Sequence, residues 1–143
     1  KIERYSSLLH IQVAMRSHPA SAGVQQVACQ AVFTLTRRNP TNAVQAGRLG
    51  LLADIAAALN THREFEALQM AACAAVLGVT LTRSENAVEA DRLGLLGSIS
   101  TAMRAHLHYA GLQHMACLAI PAIANESVVS DDPVRMGLLA DVQ

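Results

Sequence analysis

The chain has 143 residues, and eleven Lys plus Arg balance eleven Asp plus Glu to a formal net charge of zero at pH 7, so there is no overall field to draw in nucleic acid or an anionic membrane, and neither is expected as a partner. Hydrophobic residues make up 52% but aromatics only 3%, with no Trp, which suits closely approaching, alanine-rich helices better than a sandwich or barrel filled by bulky side chains. Arg, Asp, Glu, Asn or His interrupts every hydrophobic stretch short of the ~20 residues a membrane span needs.

Residues 2–17 (IERYSSLLHIQVAMRS) read as a first helix. Shifted by 44 residues it lies on Arg48–Thr61, and shifted again on Arg92–Ala105. The matches Leu8/Leu52/Leu96, Ile11/Ile55/Ile99 and Ala14/Ala58/Ala102 trace one apolar helix face. Each copy ends near a histidine (His18, His62, His106), and Pro19 marks the first stop.

A signature helix follows, from about Ser21, Glu64 and His108: VQQVACQAV at Val24–Val32, LQMAACAAV at Leu68–Val76 and LQHMACLAI at Leu112–Ile120. Its apolar positions recur at i, i+3, i+4, i+7, i+8 and i+11, a face wide enough to need a neighbour on both sides. Stacked like units supply such neighbours. Pro121 is expected to kink or end the third copy. Cys29, Cys73 and Cys117 hold equivalent places. Equivalent positions on packed helices stand on the order of 8–10 Å apart, beyond the ~7 Å Cα limit for a disulfide. They therefore read as buried free thiols in a cytoplasmic or other reducing intracellular compartment.

A short third element links the units: Asn42-Ala-Val-Gln-Ala-Gly47 recurs as Asn86-Ala-Val-Glu-Ala-Asp91. The Asn is expected to be an N-cap, and Gly47 or Asp91 to sit at the corner before the next helix. Beyond Ala124–Asp132 the pattern lapses, then Met136-Gly-Leu-Leu139 repeats Leu93-Gly-Leu-Leu96. This gives one domain over 1–143, with units at 1–41, 42–85 and 86–129 and the start of another at 130–143, expected to belong to a longer array. Its apolar ends call for cover, from more protein or by self-association through the ends.

The pieces NAVQAGRLGLLADIAAAL and NAVEADRLGLLGSISTAM, with VACQAVFTL, AACAAVLGV and MACLAIPAI, resemble the armadillo repeat, with the HEAT repeat second. The resemblance implies an all-α fold, a right-handed alpha-alpha superhelix (an armadillo-like solenoid of about three repeats). It also implies a non-catalytic scaffold or adaptor that binds other proteins, or helical or extended peptides, along the third-helix surface. Where the best-known armadillo groove carries Trp, this chain has Gln30, Ala74 and Leu118; where it carries a peptide-clamping Asn, it has Thr34, Gly78 and Ala122. Both ladders are missing, which ranks a peptide-cargo receptor of the nuclear-import type below the scaffold. A solenoid appended to an enzyme outside this fragment is the other alternative. The candidate partner-binding surface is Gln26, Gln30 and Thr34, then Met70, Ala74 and Gly78, then His114, Leu118 and Ala122. Its later copies are small and apolar, as suits a hydrophobic helix or another copy of the chain.

No catalytic residue, cofactor site or metal site is expected. Histidines 44 residues apart stand too far from one another to share a metal, and read as helix-end groups satisfying terminal carbonyls. His106, His108 and His114 form only a local cluster. Repetition gives the cysteines a packing role. Gly50 and Gly94, inside Arg-Leu-Gly-Leu-Leu, read as helix starts and not as phosphate loops. Arg48 and Arg92, with Asp54 and Asp91 nearby, read as salt bridges between units or solvated charges.

Overall fold

A computed structural model describes the backbone of residues 2–129 and the side chains of residues 7–124. Within them the chain is all-α: α1 (Ile2–Ser17), α2 (Ala22–Thr36), α3 (Pro40–Leu49), α4 (Leu51–Thr61), α5 (Glu66–Thr80), α6 (Ser84–Arg92), α7 (Leu95–Ala105) and α8 (Ala110–Val129). The segment 130–143, which the sequence assigns to the start of another unit, lies outside the described residues.

Local chemistry sets the breaks. Ser21 Oγ caps α2 by accepting from the Val24 amide at 3.1 Å. Asn39 caps α3 by accepting from the Asn42 amide at 2.9 Å, and Pro40 takes the first helical turn. Asn42 is therefore not the cap that its place in the recurring motif suggests, and neither is Asn86. Both sit inside the first turn, where Nδ2 donates to Leu35 O at 2.8 Å and Val79 O at 2.9 Å, in the closing turns of the preceding helices.

The corner before each following helix is also displaced from its expected place. Gly50 and Gly94, at φ 78° and 79°, make the turn in the left-handed region, so Arg48, Leu49 and Arg92 belong to the short helices α3 and α6. Gly47 instead makes room for a neighbour, because a Cβ there would overlap Asn86 Oδ1. Ser6 stands where the later copies have Gly50 and Gly94, and α1 runs through it unbroken. Pro121 does not end α8, which continues to Val129. Ala119 and Ile123, buried on either side of the proline, anchor both halves of the helix to the core.

The core gathers around α5. It packs on α2 along one flank and on α8 along the other, and every residue from Ala71 to Thr80 is buried. Glycines set the closeness of approach. A Cβ on Gly78 would overlap Thr36 Oγ1, and one on Gly111 would overlap Met70 Sδ.

One polar contact recurs three times along the chain. Gln25 Nε2 donates to Met15 O at 2.9 Å and His18 O at 3.0 Å. Gln69 donates to Leu59 O at 3.1 Å and His62 O at 2.9 Å. Gln113 donates to Met103 O at 3.0 Å and His106 O at 3.1 Å. Each amide satisfies carbonyls at the end of the helix before it, which would otherwise be orphaned. The His62 and His106 rings do not serve their own helix ends as expected. His62 Nε2 donates to Pro19 O at 2.8 Å and His106 Nε2 to Arg63 O at 2.7 Å, so each ring ties its corner to the corner of the preceding unit. No helix among the described residues is long and apolar enough to cross a membrane.

Candidate functional site

Where α2, α5 and α8 lie side by side, their outer surface dips into a depression of about 320 Å³. Gln30, Phe33 and Thr34 of α2 form one wall, Met70, Ala71 and Ala74 of α5 the floor, and Met115 of α8 the far side. The floor is low because alanines stand where larger side chains would fill it, and because Gly78 lets α2 close onto α5. Thr34 Oγ1 donates back to Gln30 O at 3.0 Å, which leaves the exposed Gln30 amide as the freer polar group on the rim. Arg37 lies over the Phe33 ring, 5.6 Å from its centroid, and fixes that wall by cation–π attraction. No titratable side chain is among the seven lining residues. The depression offers apolar shape with a hydrogen-bonding edge, a combination suited to receiving an apolar side chain.

Of the nine residues expected on the partner surface, Gln30, Thr34, Met70 and Ala74 come together here. Ala74 is 8% exposed and contributes floor more than reach. Gln26 is half-buried one turn earlier on α2. His114 and Leu118 are exposed on α8 but do not line the depression, and Ala122 packs against the core. Gly78 presents no surface, because it is buried beneath Thr36 and Phe33. Phe33, Ala71 and Met115 were not among the expected residues. Period alone places Met115 and Ala71 on the packing face; the signal that could have marked Phe33 is its rarity, one of only two Phe in the chain.

A second depression, of about 440 Å³, lies at the α1–α2 end and is lined by Ile11, Val24, Val27, Ala31 and their small neighbours Ala14, Gly23 and Ala28. Val27 there is 63% exposed.

The reactive side chains are dispersed. Cys29 and Cys73 are buried, and desolvation pushes each thiol up to about 12. Cys117 is exposed, contrary to the expectation of three buried thiols. α5 packs over α2 and α8 over α5, whereas no helix among the described residues covers the corresponding flank of α8. Asp54 pairs with Arg16 of α1 at 2.9 Å, not with Arg48, and Arg92 pairs with Glu89 of its own helix. Among the described residues no three His, Cys, Asp or Glu side chains converge as a metal site. No family model, curated protein or solved structure matches the chain significantly.

Proposed function

We propose that the chain is a segment of an armadillo-like, right-handed α-solenoid and that its role is non-catalytic: it holds a partner protein, or a helical or extended peptide, against α2, α5 and α8. The observation that carries this reading is the depression where Gln30, Thr34, Met70 and Ala74 meet Phe33 and Met115, on three helices that the 44-residue sequence period relates. The glutamine contacts of α2, α5 and α8, repeated at the same period, support the solenoid itself. Two buried free thiols fit a reducing intracellular compartment.

The test is retention of a partner by the intact chain. Met70→Glu with Ala74→Arg places charge on the floor, and a partner that seats an apolar side chain there should lose at least ~10-fold in affinity while helicity by circular dichroism stays unchanged. Full retention by a folded double variant removes the groove from consideration. The α1–α2 depression favours a second mode, association between copies. If it operates, Val27→Glu shifts the concentration-dependent mass in light scattering toward the monomer; a mass unaffected by either concentration or substitution excludes it.

A further inference from the structure

The packing of α1 and α2 against α4 and α5 recurs one period later, where α4 and α5 pack against α7 and α8. Each of these junctions has two sides. The molecule also carries one copy of each side on which no helix sits among the described residues.

The first side is the α1–α2 depression, lined by Ile11, Val24, Val27 and Ala31, with Val27 63% exposed. Their counterparts 44 residues on, Ile55, Leu68, Ala71 and Ala75, are all buried. The second side is the outer flank of α8, where Cys117 and Pro121 are exposed. Cys29 and Cys73, the counterparts of Cys117, are fully buried, and so is most of Leu77, the counterpart of Pro121.

Finer features of the internal junctions also have both halves on these two surfaces. Gly111 makes room for Met70, because a Cβ there would overlap Met70 Sδ. Gly23 holds the same place at the α1–α2 face and has only Ser21 Oγ nearby, at 3.9 Å, while the residue 44 after Met70 is the exposed His114. The histidine series behaves alike. His62 Nε2 donates to Pro19 O and His106 Nε2 to Arg63 O, so the exposed His18 is a donor of the same kind and Leu107 O the next acceptor.

We infer that copies of the chain stack head to tail, the α1–α2 face of one copy seated on the outer flank of α8 of the next, as α5 sits on α2. His114 of one copy then lies on Gly23 of the other, and Cys117 is buried at the joint. The contact uses a different surface on each side, so it propagates into an open chain or closes as a ring. The inference deepens the association between copies put forward above and rests on it. It names the second surface, which a symmetric pairing of two α1–α2 depressions would leave uncovered.

Light scattering and thiol alkylation on the full chain test it. The wild-type mass rises with concentration, and alkylation of Cys117 slows over the same range. Val27→Glu and Cys117→Arg each put a charge into the joint from an exposed position, and each weakens association at least ~10-fold with circular dichroism unchanged. Mixed in equal amounts, the two variants form a dimer and nothing larger, because one keeps the α8 flank and the other the α1–α2 face. Cys117 of the Val27→Glu copy is protected in that dimer. A Cys117→Arg chain that associates like the wild type overturns the head-to-tail arrangement and leaves association through α1–α2 standing. A mixture that stays monomeric, or a Cys117 equally protected at every dilution, also overturns it. A wild type that is monomeric at all concentrations removes both.

Discussion

Gln69 is 2% exposed, yet its amide donates to two backbone carbonyls, Leu59 O and His62 O. Removing the side chain strips the donors from acceptors that water cannot reach. Gln69→Ala is therefore expected to cost about 1–3 kcal/mol in denaturant unfolding, whereas Gln30→Ala on the exposed rim should stay within ~0.5 kcal/mol. A residue buried for its hydrogen bonds is hard to read from sequence, because a glutamine beside an apolar stripe looks like its solvent edge. The cysteines divide in a similar way. Cys117 is exposed and should be alkylated in the native protein, while Cys29 and Cys73 should react only on unfolding. Burial raises both inner thiols from 9.0 to about 12, so the neutral thiol is what the fold favours. That contribution is fully present below about pH 9 and is lost as pH rises toward about 12, because the unfolded chain ionises first. The slope is ~1.4 kcal/mol per pH unit for each thiol. Stability measured from pH 9 to 11 should fall more steeply in the wild type than in Cys29→Ala/Cys73→Ala; equal slopes would show that the thiols are not protected.

At the scale of a helix, glycine position decides the outcome. Gly50 and Gly94 hold φ near +78°, where a Cβ is strained, although no atom lies within 4 Å of where it would stand. Gly97, exposed inside α7, also has nothing within 4 Å but is helical. Gly50→Ala should thus destabilise by about 1–2 kcal/mol through backbone strain alone, while Gly97→Ala should stabilise by about 0.5–1 kcal/mol. Thermal melts of the two variants should move in opposite directions. The sequence showed where the long helices lie, and α1 spans the expected residues 2–17. It was less informative about the short helices. Asn42 and Asn86 head the recurring motif, but Asn39, three residues earlier, has the backbone and partner of a cap. Pro121 carries a local instruction to break that the buried flanks Ala119 and Ile123 override. The two misreadings differ in origin: at Pro121 a local preference of about 3 kcal/mol yields to tertiary burial, whereas at α3 the Asn39-Pro40 pair is itself the stronger local start signal.

At the scale of the whole chain, the i, i+3, i+4, i+7 spacing of apolar residues predicted helices, and the described residues are all-helical. How deeply the helix faces sink depends on interhelical distance, which periodicity does not encode. Gly78 against Thr36 and Gly111 against Met70 set that distance, so Gly78 disappears from the surface while Phe33 and Met115 come to it. The same tight approach makes α5 the keystone. It is covered by α2 on one flank and α8 on the other, and Ala71–Thr80 is continuously buried, whereas α1, α2 and α8 each keep exposed residues. If layers are stabilised mainly by their neighbours, the layer with two neighbours opens last. Amide exchange should therefore be slowest across Ala71–Thr80 and faster in α1 and in α8. Gly78→Ala, which forces a Cβ against Thr36 Oγ1, should cost about 1–3 kcal/mol and speed exchange in α2 and α5 together, with partial recovery when Thr36→Ala removes the obstructing atom. Exchange in α1 as slow as in α5, or a Gly78→Ala effect that stays within α5 and is indifferent to Thr36, would mean that these helices do not rely on one another in this way.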